Sequence, residues 1–192
     1  MTPTIAKIIW LAGGLAWFVL RFQPRQHSRK TPVRYSGRGP REFALLAASL
    51  SGLGIVPCIY LTAHFPRFAD YPLIPALSYL GIAVELGCLW LFYRSHRDLG
   101  HNWSVSLDLR ERHTLVTTGV YALVRHPMYA GYFVAHIGFL LAFPSLWNLA
   151  VYAGGLLVQV ARLLREEHLL NTSEKYRAFC QRVRYRLVPG VF

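Results

Sequence analysis

The sequence predicts an all-α, polytopic membrane protein of about five transmembrane helices, and three observations predict it. Of 192 residues, 54% are hydrophobic and only 16% charged, against roughly 25% charge in soluble domains. Apolar blocks of about 20 residues recur, the length of helix that crosses about 30 Å of hydrocarbon. The formal net charge of +12 falls almost wholly between those blocks. A soluble chain this basic would suggest nucleic acid; charge confined to loops reads instead as membrane topology. A soluble bundle would need far more charge between its apolar stripes.

The first span is Thr4–Phe22. A single Lys precedes its apolar run and no cleavage site follows, so it reads as a retained helix rather than a signal peptide. The second, Phe43–Ala63, contains Pro57, which is expected to kink it. The third, Leu73–Tyr93, carries Glu85. A carboxylate inside a span is expensive and marks a functional candidate, unless it is protonated and bonded to a neighbouring helix. The fourth, Met128–Phe143, and the fifth, Leu146–Leu164, are separated only by "FPSLWN" and form an antiparallel hairpin whose first arm is short for a full crossing. Residues 1–93 thus hold three spans and a basic loop. Residues 94–192 hold a long loop, the hairpin and a tail.

Charge orients the chain. Seven Lys/Arg lie between Arg21 and Arg41, five between Arg94 and Arg125, and seven from Arg162 onward. Apart from Lys7 and Arg67, every cation lies on one side, which by the positive-inside rule is the cytoplasm. The N-terminus is then outside and the C-terminus inside. The first basic loop serves either as a pure topology signal or as a strip that meets anionic headgroups. Cys58, Cys88 and Cys180 make neither a disulfide framework nor a zinc pattern. His64 and His136 have no ligand partners at metal spacing, so no metal is expected.

The chemistry concentrates in "HTLVTTGVYALVRHPMYAGYF", His113 to Phe133. Gly119 permits a positive φ, and Pro127 stands where a helix would start, in the turn that tolerates it. The helix N-terminus then offers free N–H groups and a positive dipole end to a carboxylate or phosphate. Arg125 and His126 add donors beside it. Tyr129, Tyr132 and His136 follow near one helical face, and Gly131 permits close approach. Each residue taken singly also fits an interfacial belt. A second cluster, "ARLLREEHLL", groups Arg162, Arg165, Glu166 and Glu167. Arg162 and Glu166 share a helix face, either as an ion pair at the water boundary or as an anion clamp beside a carboxylate that holds a cation or ribose. "DLGHNWS", Asp98–Ser104, adds an amide and an indole, with Trp103 equally suited to a belt.

These residues resemble the isoprenylcysteine carboxyl methyltransferase family and the related phospholipid methyltransferases. The resemblance spans roughly Leu99–Val188 and rests on Leu-Val, Gly-x-Tyr, Arg-His-Pro-x-Tyr-x-Gly and a distal Glu-Glu. It implies an integral membrane enzyme that uses S-adenosyl-L-methionine without a Rossmann fold, in a pocket formed by the cytoplasmic loop and tail. It implies that His113, Thr114, Leu115, Val116, Tyr121, His126, Pro127, Met128, Tyr129 and Glu166 line the cofactor. Arg162 would bind the substrate and, with Glu166, form the catalytic pair. Ser106 falls where family members carry an amide, so no role is carried to it.

The donor sulfonium is already activated, so such an enzyme chiefly positions reactants and excludes water. A carboxylate acceptor needs no base but needs alignment, which Arg162 can give. An amine acceptor would need a base near the methyl group. The Arg162–Glu166 pair therefore favours carboxyl O-methylation of a lipophilic, isoprenylcysteine-like acceptor over N-methylation of a lipid amine. A nicotinamide-dependent membrane reductase and a non-catalytic membrane protein are the readings from other classes. The expected partners are a lipophilic or prenylated substrate and membrane lipid, without nucleic acid. Five spans suggest a prokaryotic inner membrane, or the endoplasmic reticulum in a eukaryote, with the active site on the cytoplasmic face.

Overall fold

The computed structural model describes residues 3–30, 32–36, 39–66, 70–103, 108–110 and 114–192. Helix occurs at each of the five predicted spans. Helix α1 runs Pro3–Lys30, well past the predicted end at Phe22. The second span is one helical stretch in three parts: α2 (Pro40–Leu50), a π turn (Ser51–Ile55) and α3 (Val56–Ala63). Pro57 explains the break. It has no N–H to donate and its ring crowds the carbonyl one turn back. The ladder widens just upstream, and the Val56 N–H reaches back to the Ser51 carbonyl. The disruption expected at Pro57 thus takes the form of a π turn.

Helix α4 (Pro75–Leu99) extends beyond Tyr93 to a Gly100 cap with φ 55°. The hairpin is α5 (Pro127–Ala142) and α6 (Leu146–Leu170). A further helix, α7 (Glu174–Arg182), lies in the tail. Among the described residues the exception to the all-α class is a short antiparallel ladder, β1 (Val33–Ser36) on β2 (Asp108–Arg110), joining the two basic loops. Pro3–Phe22, Pro75–Leu99 and Leu146–Leu170 are each long and apolar enough to cross a membrane, and Pro127–Ala142 is a shorter apolar helix.

Helices α4 and α5 make the most extensive contact, and glycine sets how closely they cross. A Cβ on Gly81 would lie 2.5 Å from the Gly138 carbonyl oxygen, and one on Gly138 would lie 2.9 Å from the Gly81 oxygen. Backbones approach this way in membranes, where small residues replace the missing hydrophobic drive between helices. Helix α1 packs along α4, with Trp10 edge-on to Phe139 at 5.1 Å. Tyr60, Leu61, Phe143 and Tyr152 complete that core. The hairpin turn is pinned by Ser145, whose hydroxyl accepts the Trp147 N–H, and by Asn148, which donates to the Phe143 carbonyl. Outward-facing residues such as Leu15, Phe18, Trp90, Leu149 and Leu157 are exposed. An apolar face this extensive fits a lipid solvent.

Candidate active site

The opposite end of the α5–α6 hairpin carries the polar cluster, and it is assembled from segments far apart in the sequence. The approach to α5 is held first. At the end of α4, the Asp98 carboxylate accepts the Val120 N–H at 3.0 Å. Gly119, with φ +61°, makes this possible: a Cβ there would sit 2.1 Å from Asp98 Oδ2. Asn102 accepts the Thr114 N–H at 2.8 Å and donates to its hydroxyl at 3.2 Å. The "DLGHN" run thus fixes both ends of the Thr114–Val120 stretch. Trp103 is buried rather than lying in an exposed belt, and the Arg21 guanidinium stands 5.2 Å over its ring. Tyr121 is buried and donates to the Ser95 carbonyl at 3.4 Å. Burial first, then the Glu166 and Asp98 carboxylates, push its phenol above the ordinary value.

The start of α5 is tied to the tail. The Arg125 and His126 N–H groups donate to the Tyr185 and Arg186 carbonyls at 3.0 and 2.9 Å. Their side chains converge with Arg186 on Glu167. Its Oε2 accepts from Arg186 Nε at 2.7 Å, while Oε1 lies 3.2 Å from His126 Nε2 and 3.3 Å from Arg125 Nη2. The Tyr176 hydroxyl stands 3.4 Å from the same His126 nitrogen. Two guanidinium groups and an imidazole around one buried carboxylate form a clamp that joins α5, α6 and the tail. Burial is also the main cause of the raised Tyr176 phenol pKa, with Glu167 adding to it.

One residue along, Glu166 points elsewhere. Its Oε2 accepts from the Tyr129 hydroxyl at 3.0 Å. A third arrangement ties in α2. Arg162 Nη2 donates to Glu42 Oε1 at 2.9 Å, and Arg165 Nη1 lies 3.6 Å from Glu42 Oε2. Glu42 is only 1% exposed. Two cations share one buried carboxylate, and the Glu166 charge also acts on Arg162.

The predicted site residues fall as follows. His113 and Ser106 lie outside the described residues. Thr114 is exposed and held by Asn102. Leu115 packs against the Tyr176–Phe179–Val183 cluster, and Val116 and Met128 are half-buried. Pro127 is fully buried at the first turn of α5. His126 is engaged with Glu167 and Tyr176, so its ring braces the wall. Tyr129 and Glu166 are brought together as a pair. Arg162 shares a face with Glu166 and forms an ion pair with Glu42. Glu42 and Arg186 are participants that sequence reasoning did not single out, and Glu167 was named in its cluster without a role. Glu42 had a faint signal, the sole acid in a basic loop. Glu167 was visible in "EE", with nothing to say which of the two faces inward.

Beneath the polar cluster a narrow crevice of about 10 Å³ lies between α5 and α6. It is lined by Tyr129, Tyr132, Phe133 and His136 from α5, Gln159 and Leu163 from α6, and Leu187 of the tail, among others. Tyr132 accepts a 2.7 Å hydrogen bond from Arg21, closing the α1 side. Glu85 lies on α4 with its carboxyl against Gly13 of α1.

A family model described as phospholipid methyltransferase matches residues 77–177, which takes in α4, the approach loop, the hairpin and the first residues of α7. Comparison with curated proteins returns no match.

Proposed function

The chain belongs to the phospholipid methyltransferase family of membrane methyltransferases, and on that premise we propose that it methylates the carboxylate of a lipophilic, isoprenylcysteine-like acceptor with S-adenosyl-L-methionine. The observation that carries this reading is the position of Tyr129. Its hydroxyl belongs to the polar cluster through Glu166, and its ring lines the apolar crevice. On this reading one residue would border both the polar site of a charged cofactor and the apolar side from which a lipophilic acceptor would approach.

The residues fit such a cofactor by their chemistry. Glu166 is a carboxylate suited to an ammonium or a ribose diol. The rings of Tyr121 and Tyr129 suit a sulfonium, since aromatic faces attract cations. The Arg125 Nε is buried without a hydrogen-bond partner in the structure, a donor an anionic group can use. The Thr114–Thr118 stretch is non-helical and partly exposed, so its backbone can meet a polar ligand. S-adenosyl-L-methionine supplies a methyl group already activated by its sulfonium. The chain's own work is then to hold the acceptor oxygen in line and keep water out.

Helix length supports the two-phase arrangement. At 16 residues, α5 spans about 24 Å, short of about 30 Å of hydrocarbon. With its turn at one interface, its polar end lies recessed, where a lipid-borne group can reach it. The basic loops support a cytoplasmic side for that end by the positive-inside rule, and a prokaryotic inner membrane or an endoplasmic reticulum is part of the proposal. Arg162, held by Glu42 on the helix face of Glu166, is the cation that would align an anionic acceptor. One observation favours a second reading, N-methylation of a lipid amine. Glu166, bonded by Tyr129, is a carboxylate placed to take a proton.

Binding of radiolabelled S-adenosyl-L-methionine to the purified protein tests the proposal. Saturable binding is expected, and none at millimolar cofactor in a detergent that preserves the fold refutes it. A methylation screen of isoprenoid thiol acids, fatty acids and aminolipids then separates the O- and N-methyl readings.

A further inference from the structure

Arg21 lies at the end of the first apolar run, where an arginine ordinarily extends toward water or headgroups. Its guanidinium packs on aromatic rings instead. It stands 5.1 Å over the Trp17 ring and 5.2 Å over the Trp103 ring, and Nη1 donates to the Tyr132 hydroxyl at 2.7 Å. Two further rings close the box. Between centroids, Phe92 lies 5.3 Å from Trp17 and 6.0 Å from Tyr132, while His96 lies 4.2 Å from Phe92 and 5.3 Å from Trp103. Phe92, His96 and Trp103 are buried.

Two of the contacts of Arg21 lead to the walls of the candidate active site. Trp103 directly follows Asn102, whose side chain accepts the Thr114 N–H at 2.8 Å and donates to its hydroxyl at 3.2 Å. Tyr132 follows one turn of α5 after Tyr129, and the Tyr129 hydroxyl donates to Glu166 at 3.0 Å. One guanidinium therefore braces the start of the Thr114–Thr118 stretch and the Tyr129–Glu166 pair together. A planar cation suits the task, since its faces stack on indoles while its edge donates to a phenol; a lysine ammonium has no such plane. The brace comes from α1, outside the stretch that the family model matches.

We propose that Arg21 is a positioning residue: it fixes the spacing between the Thr114–Thr118 stretch and the Tyr129–Glu166 pair, and so sets the affinity for the cofactor. It acts through Trp103 and Tyr132 rather than by touching a reactant. This rests on the reading that both walls face S-adenosyl-L-methionine, and the test keeps the two apart.

Binding of radiolabelled S-adenosyl-L-methionine to the full-length purified protein in detergent is measured by equilibrium dialysis, well below the Tm of each variant. Arg21→Met should raise Kd about tenfold, the loss of one charged hydrogen bond with its stacking. Arg21→Lys, which restores the charge without the plane, should recover only part of that. Tyr132→Phe deletes a single oxygen and should weaken binding several-fold, which keeps the test open if Arg21→Met does not fold. The decisive readout is coupling. Asn102→Ala frees Thr114 directly, so adding Arg21→Met to it should weaken binding by clearly less than Arg21→Met does alone. A residue that only stabilised the fold would lower Tm and leave Kd unchanged in the folded protein. Wild-type affinity in Arg21→Met or in Tyr132→Phe overturns the role and leaves the cofactor reading standing. Additive effects of Arg21→Met and Asn102→Ala also overturn it. No saturable binding to the wild type overturns the cofactor reading and this role with it.

Discussion

Glu166 and Glu167 are neighbours with different surroundings, and exchanging each for Gln should break different properties. Glu167 is 4% exposed and faces Arg186 at 2.7 Å, His126 at 3.2 Å and Arg125 at 3.3 Å. In Glu167→Gln the amide keeps the shape but removes the charge, and its N–H₂ confronts donors. Removing one partner of a buried ion pair costs about 3–5 kcal/mol, chiefly because the remaining charge is left uncompensated. The partly open Arg186 can turn to water, so the lower end, about 3 kcal/mol, applies. For a chain of this size each kcal/mol moves Tm by about 2–4 °C, giving a fall of about 6–12 °C in detergent, read by tryptophan fluorescence. Glu166→Gln retains an acceptor for the Tyr129 hydroxyl and should cost about 1 kcal/mol or less. Its loss should appear in binding of labelled S-adenosyl-L-methionine, weakened at least about tenfold if an ammonium or ribose contact is lost. The reasoning fails if Glu167→Gln is as stable as wild type, or if Glu166→Gln loses stability and keeps full cofactor binding.

Three further outcomes are expected. In a double-mutant cycle of Glu42→Gln with Arg162→Met, the single changes should each destabilise more than half of what the pair does together, with a coupling energy above about 1 kcal/mol; additivity would mean that the 2.9 Å pair contributes nothing. Gly119→Ala should cost about 2–4 kcal/mol, from the positive φ and from expelling Asp98 from the Val120 N–H, measured as a lower Tm; an unchanged Tm would contradict the φ of +61° and the 2.1 Å approach. The Tyr121 and Tyr176 phenols are raised by burial, so the fold holds their protons more tightly than the unfolded chain does. Their contribution is fully present below the unfolded pKa of about 10 and falls as pH rises past it. Tm should accordingly decline above about pH 10, less steeply in Tyr121→Phe, and an identical slope in that variant would count against the assignment.

The fold was legible where the signal is cumulative. Apolar length and the basic loops mark all five helical stretches, because the bilayer imposes both regularities on many residues at once. The ends were less legible. Helix α1 continues to Lys30 and α4 to Leu99 because helices need not stop where hydrocarbon does, and hydropathy measures only the latter. Pro57 announced a disturbance in the second span, but a π turn rather than a bare kink depends on which carbonyl the ladder can reach. The β1–β2 ladder had no periodic signature, each strand being too short to display one.

The site was legible as a neighbourhood and much less so as a set of partners. Helical spacing correctly put Tyr129 and Tyr132 on the hairpin and Arg162 on the face of Glu166, since i to i+4 geometry is local. It could not tell that Arg162 would meet Glu42 across 120 residues of chain, or that His126 would be taken up by Glu167. In low dielectric a lone charge is costly enough that these buried ions recruit counter-ions from whichever helix passes closest. Partner choice is therefore a property of packing. The same argument turns a liability into information. Arg125, His126 and Arg186 converge on Glu167, and Arg162 and Arg165 on Glu42, so most buried charge near the mouth is already compensated. Glu166 meets only a neutral phenol among its described hydrogen-bond partners. A carboxylate so placed, between two compensated clusters and at the top of an apolar crevice, is the group on which a cationic ligand would gain most.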